Sequence, residues 1–253
     1  MFARLLKPFF HRKPRAAAVS NTQWTAVETR LPCLDHLDER ERQDLREMAM
    51  MFLDQKVFSG AADFEPDNFA RLSIALQACL PVLKLGLEAY AGWHGIIVYP
   101  GDFVIPRREV DANGLLHEYT EDALGESWDG GLVILSWFDD PTDYQGANVV
   151  IHEFAHKLDM LNGDADGLPP LHAGMHSEDW RLAFETAYED FCARVDANTP
   201  VALDPYAAEH PAEFFAVCSE AFFTTPDMLF CAYPAVYQQL AAFYRQDPRK
   251  PLS

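Results

Sequence analysis

The stretch Val149-Val150-Ile151-His152-Glu153-Phe154-Ala155-His156-Lys157-Leu158-Asp159 constrains this chain more than any other. Its apolar residues at 149, 150, 151, 154, 155 and 158 leave few positions for solvent, yet they enclose two histidines and a glutamate. On a helix, residues i and i+4 stand one turn apart on the same face, so His152 and His156 can turn their imidazoles toward one point. A buried polar group without a partner costs roughly 1–3 kcal/mol, and a metal ion with its water would partner all three side chains. His-Glu-x-x-His on a helix is accordingly the signature of a zinc site. Two neutral imidazoles leave the ion electrophilic and lower the pKa of its bound water from about 16 to about 7. Glu153, next to the first histidine, is placed to act as the general base.

The flanking residues suit such a helix. Leu132 to Trp137 is a short apolar run that reads as a strand, and Asp139-Asp140-Pro141-Thr142-Asp143 ends it. A helix then starts near Gly146-Ala147-Asn148 and stops at Gly163 and Asp164-Ala165-Asp166-Gly167. That acidic loop looks like half of a calcium loop, but it lacks the closing glutamate and reads as a turn.

A zinc site needs a third protein ligand. Asp159 stands about 10 Å along the helix axis from His152 at 1.5 Å per residue, too far to close the same tetrahedron. It is read either as supporting the site from outside or ending the helix, or equally as facing the surface. The segment Tyr206 to Phe223 offers more. Pro211 suits a first helical turn, and apolar residues at 214, 215, 217, 218, 221 and 222 bury the helix that follows. Glu213 and Glu220 lie seven residues apart on one face of it, where an unpaired carboxylate is expensive. Either could be the third ligand.

His152-Glu153-Phe154-Ala155-His156-Lys157-Leu158-Asp159, followed by Tyr206 and Pro211-Ala212-Glu213-Phe214-Phe215-Ala216-Val217, resembles the Mlc titration factor A group of bacterial zinc peptidases. That group is similar to the catalytic domain of anthrax lethal factor. The resemblance spans residues from about 18 to about 245. It implies an α+β, zincin-like fold, mostly helical with a small sheet beside the His-Glu-x-x-His helix. It implies one zinc ion per chain held by His152, His156 and Glu213, with Glu153 as base and Tyr206 facing the metal to steady an oxyanion. Glu220 would orient a histidine ligand. The resemblance further implies peptidase action, aminopeptidase-like on short peptides, and contact with the glucose-responsive repressor Mlc. A regulatory protein that sequesters such a repressor, with peptidase activity secondary, is the alternative.

The remainder of the chain sets limits on these roles. Of its 253 residues 49% are hydrophobic, ample for a core, and a net charge of −19 argues against general nucleic-acid binding. Five scattered cysteines, at 33, 79, 192, 218 and 231, suit a reducing compartment, and the expectation is a cytoplasmic protein. Residues 1–18 read as a basic tail with Arg4, Lys7, Arg12, Lys13 and Arg15 and no acid; Lys7-Pro8 breaks its apolar residues, so it does not read as a signal peptide and no membrane span is expected there. Residues 19–253 are expected to form one zincin-like catalytic domain whose first part, about 19–92, is helical. Helices are expected within 37–57, from Asp67 to Leu80, from Val82 to Tyr90, from Ser177 to Val195 and from Pro234 to Tyr244. Strands are expected at Ile96–Tyr99 and Phe103–Ile105. Leu132–Trp137 is read either as the candidate edge strand for an extended peptide substrate or, equally, as a structural core strand.

Overall fold

Polar caps start the first helices of the fold, which a computed structural model describes over residues 19–101, 103–110, 116–123, 125–127, 131–137 and 148–249. The basic segment 1–18 lies outside these residues. Ser20 caps α1 (Asn21–Glu28) and Asp38 caps α2 (Glu39–Gln55), each accepting from the backbone three residues on while Gln23 or Glu41 reaches back. These bonds satisfy amides that a helix start otherwise leaves without partners. Asp67 caps α3 (Asn68–Cys79) by accepting from the amide of Ala70. The helix expected from Val82 to Tyr90 is instead a run of turns, with a 3₁₀ turn at Leu87–Tyr90. Gly86 sits at φ +98°, which a right-handed helix cannot accommodate.

Among the described residues, six strands follow two arrangements. β1 (Val57–Gly60), β2 (Gly95–Pro100), β5 (Gly125–Ser127) and β6 (Val133–Trp137) form a sheet in the order β1-β2-β6-β5. The β1/β2 and β2/β6 pairs are parallel, and β5 runs antiparallel to β6. β3 (Phe103–Val110) and β4 (Leu116–Ala123) pair antiparallel with each other, Phe103 opposite Ala123 and Val110 opposite Leu116. The strand expected at an edge, Leu132–Trp137, therefore lies in the interior of the sheet between β2 and β5. Its composition carries the reason: Val133, Leu135, Ser136 and Trp137 are all buried, as a strand with neighbours on both sides requires. The outer strand beyond it is β5, which packs against the helix that follows the sheet.

That helix is α4 (Val149–Asp159), and α5 (Ser177–Asp196), α6 (Pro211–Thr224), α7 (Pro226–Ala232) and α8 (Pro234–Tyr244) complete the chain. The fold is helix-rich with a small mixed sheet, an α+β arrangement. Phe154 of α4 packs against Phe52, Tyr90 and Trp93 at ring-centre distances of 5.6, 5.0 and 5.7 Å. On the other side α6 buries Phe214, Phe215, Phe222 and Phe223, which meet Trp180, Phe184 and Phe191 of α5 and Phe243 and Tyr244 of α8. Burying each such ring contributes on the order of 1.5–3 kcal/mol, so the aromatic layers on both sides hold α4 and α6 in place. The buried apolar side chains form one cluster that runs from Trp24 to Tyr244. Among the described residues, no helix is long and apolar enough to cross a membrane.

Candidate metal centre

α4 begins where three side chains from distant parts of the chain meet. The Asn148 side chain caps it by accepting from the Ile151 amide at 3.0 Å, while its own Nδ2 donates to Gln77 of α3 at 2.7 Å. The Asn148 backbone amide donates to Glu220 of α6 at 2.8 Å. The helix is thus tied at its first turn to both neighbours. Ten of its residues are buried, from Val149 to Asp159 with His152 excepted. The polar ones need partners inside the protein.

His152, His156 and Glu213 come together at the α4/α6 interface. His152 Nε2 lies 3.1 Å from Glu213 Oε2, His156 Nε2 lies 3.2 Å from the same oxygen, and the two Nε2 atoms are 3.2 Å apart. Among the described residues this is the one group of three or more histidine, cysteine or acidic side chains able to hold a metal ion. Donors at about 2.0–2.1 Å around a tetrahedral ion stand about 3.3–3.4 Å from one another, close to these separations. Two imidazoles and a carboxylate, with a fourth position left for water or substrate, is also the donor set of a catalytic zinc site. The residues fit the ion.

The electrostatics follow from the same contacts. Burial opposes charge on His152, but Glu213 and Glu220 outweigh it and push its pKa up to about 10. Burial would raise the Glu213 carboxyl, yet its bonds to His152 and His156 hold it well below the usual carboxylate range. Glu220, seven residues along α6, places Oε2 3.7 Å from His152 Nδ1.

Glu153 and Tyr206 lie near this triangle. Glu153 is buried beside its histidine neighbours, its Oε2 has no hydrogen-bond partner, and burial raises its pKa against the opposing pull of His152 and His156. Strand β5 lies directly over it: Ser127 Oγ donates to the Glu153 carbonyl at 2.9 Å, and a Cβ placed on Gly125 would collide with the Glu153 carboxylate. Tyr206 sits on a 3₁₀ turn at Pro205–Ala208 started by Asp204, is 41% exposed, and has its ring centre 6.3 Å from that of His152.

Four residues at this centre escape a reading of the sequence. Gly125 and Ser127 lie in a strand too short to show a period, although a glycine at a strand start is a recognisable mark of close approach. Asn148 has the cap residue type but shows nothing of its second bond, and Gln77 looks like any polar residue of an amphipathic helix. His172 and His176 repeat the i, i+4 spacing without forming a site; the ring of His172 is hydrogen-bonded through Nε2 to the Phe243 carbonyl at 2.6 Å.

The sequence profile of the family described as glucose-regulated metallo-peptidase M90 matches residues 9–245. The chain is 39% identical over 236 residues to Mlc titration factor A of Cronobacter sakazakii, covering 92% of this chain and 89% of that protein. It is 40% identical over 231 residues to Mlc titration factor A of Salmonella gallinarum, covering 88% and 85% respectively, and matches that of Salmonella enteritidis PT4 equally well.

Proposed function

The chain belongs to the glucose-regulated metallopeptidase family M90, and on that premise we propose that it is a zinc peptidase whose ion is held by His152, His156 and Glu213. The observation that carries the proposal is the triangle of two imidazole nitrogens and one carboxylate oxygen at 3.1–3.2 Å. Zinc bound there would act as a Lewis acid that polarises a peptide carbonyl and makes water a nucleophile at neutral pH.

The protein groups supply the rest of the chemistry. Glu153, with one oxygen free inside the site, takes a proton from the attacking water and hands it to the leaving amine. The Tyr206 phenol, on the His152 side, donates to the oxyanion that forms as the carbonyl is attacked. Glu220, whose carboxylate lies 3.7 Å from His152 Nδ1, favours the proton on that nitrogen and so keeps Nε2 free for the ion.

The substrate class in this proposal is short peptides cleaved from a free amino terminus, in a cytoplasmic protein. The catalytic unit is one zincin-like domain over residues 19–253, with 1–18 as a basic tail and a mainly helical first part, 19–92, that also contributes strand β1. The continuous apolar cluster from Trp24 to Tyr244 supports one unit. Hydrolysis of short peptides by the purified chain, with Glu153→Gln as the control for contaminating peptidases, tests the activity. Peptides with a free amino terminus should be cleaved and their acetylated forms spared; equal cleavage of both would remove the aminopeptidase assignment.

A second reading rests on the relatives' name, Mlc titration factor A. In it this chain sequesters an Mlc-type repressor, with hydrolysis secondary. Binding of such a repressor that survives Glu213→Ala would favour that role, because a docking surface need not include the metal ligands.

A further inference from the structure

Each imidazole of the triangle has a second ring nitrogen, and the two are treated differently. His152 Nδ1 faces Glu220. His156 Nδ1 is buried and has no hydrogen-bond partner, and the same is true of Asp159 Oδ1. The two residues are three apart on α4, so their side chains neighbour each other on one face of the last turn. Asp159 is fully buried, and its other oxygen, Oδ2, accepts from the Gly167 amide at 2.8 Å.

Gly167 is itself fixed from three sides. It adopts φ +83°, its carbonyl accepts from Trp180 Nε1 of α5 at 2.9 Å, and a Cβ there would stand 2.7 Å from the Pro211 carbonyl oxygen at the start of α6. The residue that anchors Asp159 is therefore pressed against the first turn of the helix that carries Glu213. One carboxylate oxygen is held by this turn; the other, like His156 Nδ1 three residues back on the helix, is buried without a partner, and the carboxyl feels the charge of His156.

We infer that Asp159 is a positioning residue for His156: its unpartnered oxygen is the acceptor meant for the Nδ1–H of that imidazole, which keeps the proton on Nδ1 and leaves Nε2 bare toward His152 and Glu213. The inference rests on the metal site proposed above. An imidazole ligates through a bare nitrogen, and the partner of its other nitrogen decides which one is bare. On this account each histidine ligand has its own carboxylate, Glu220 from α6 for His152 and Asp159 from the end of α4 for His156.

The competing role for Asp159 is to hold the Gly167 turn and nothing more, and one substitution separates the two. Asp159→Asn keeps an oxygen for the Gly167 amide but offers an N–H to His156, which selects the tautomer with the proton on Nε2. Zinc affinity of the full-length protein, measured by competition with a chromophoric chelator, should fall roughly 10–100-fold in Asp159→Asn and in Asp159→Ala. The thermal midpoint of the metal-free Asp159→Asn protein should stay at or above that of the wild type. Wild-type zinc affinity in Asp159→Asn, with Asp159→Ala only melting earlier, would overturn the inference and leave Asp159 as a turn anchor. Glu213→Ala is the control. If the wild type takes up no zinc, or Glu213→Ala binds it as tightly, the metal site itself fails and the inference falls with it.

Discussion

His152 and Glu213, 61 residues apart in sequence, bring Nε2 and Oε2 to within 3.1 Å of each other. The contact depends on the two helices being packed along their length and on Asn148 tying the start of α4 to Glu220. Within that frame the roles assigned to single side chains can be separated by experiment.

Glu153→Gln removes the base but leaves His152, His156 and Glu213 untouched. Zinc content should match the wild type, while kcat for a short peptide falls roughly 10²–10⁴-fold. Full activity in this variant would exclude Glu153 as the proton carrier.

Tyr206→Phe deletes one hydroxyl from an exposed turn and no packing of the core. Loss of an oxyanion donor lowers kcat about 10²-fold with zinc content and KM little changed. Steady-state kinetics of the zinc-loaded variant checks this, and an unchanged kcat would return Tyr206 to a purely structural place.

Gly125 lies against the Glu153 side chain, where a Cβ would meet Cγ and Cδ as well as the carboxylate oxygen. Relief requires the base or the strand to move. Gly125→Ala should therefore bind zinc normally and lose at least about tenfold in kcat, since small misplacement of a reacting group is costly. Retention of both would show that β5 yields freely.

Lys56 supplies the pH dependence. It is 2% exposed, its Nζ donates to the carbonyls of Tyr90 and Trp93 at 2.5 and 2.7 Å, and it lies 3.6 Å from the centre of the Trp93 ring. Burial, and then the nearby Lys157, lower its pKa from 10.5 to about 8, opposed by Cys79. Between these values the unfolded chain holds a proton that the folded chain has released, so this group's contribution to stability rises with pH across the window. The change amounts to at most about 3 kcal/mol. Below pH 8 lysine is charged in both states and the folded protein bears the full penalty of burying it. Lys56→Met lacks the titration, so its stability relative to wild type in urea should decline from pH 7.5 to pH 10. A constant difference would contradict the lowered pKa.

The two helices of the centre were legible in the sequence because their polar residues are out of place. His152, Glu153 and His156 interrupt the apolar run of α4, and Glu213 and Glu220 interrupt that of α6, so the residue pattern itself poses the question of their partners. Periodicity gave α5 and α8 as well, with Trp180, Phe184, Ala187 and Phe191 buried as their spacing requires. Other elements carry no such signal. β1 directly follows α2 with one residue between them, and α7 occupies the seven residues Pro226–Ala232 just before α8. The order of strands is a long-range property, so the apolar character of Leu132–Trp137 reported a buried strand without saying that β5 would lie outside it. Asp159 shows the same limit within one helix, since its fixed position depends on Gly167, Trp180 and Pro211 meeting in space.

The central claim is that His152, His156 and Glu213 hold one zinc ion, and elemental analysis after reconstitution and removal of loose metal tests it most directly. Wild-type protein should retain about one zinc per chain and Glu213→Ala should retain little, with the variant folded as judged by its circular dichroism. Zinc retained equally by both proteins, or absent from the wild type after reconstitution, would contradict it.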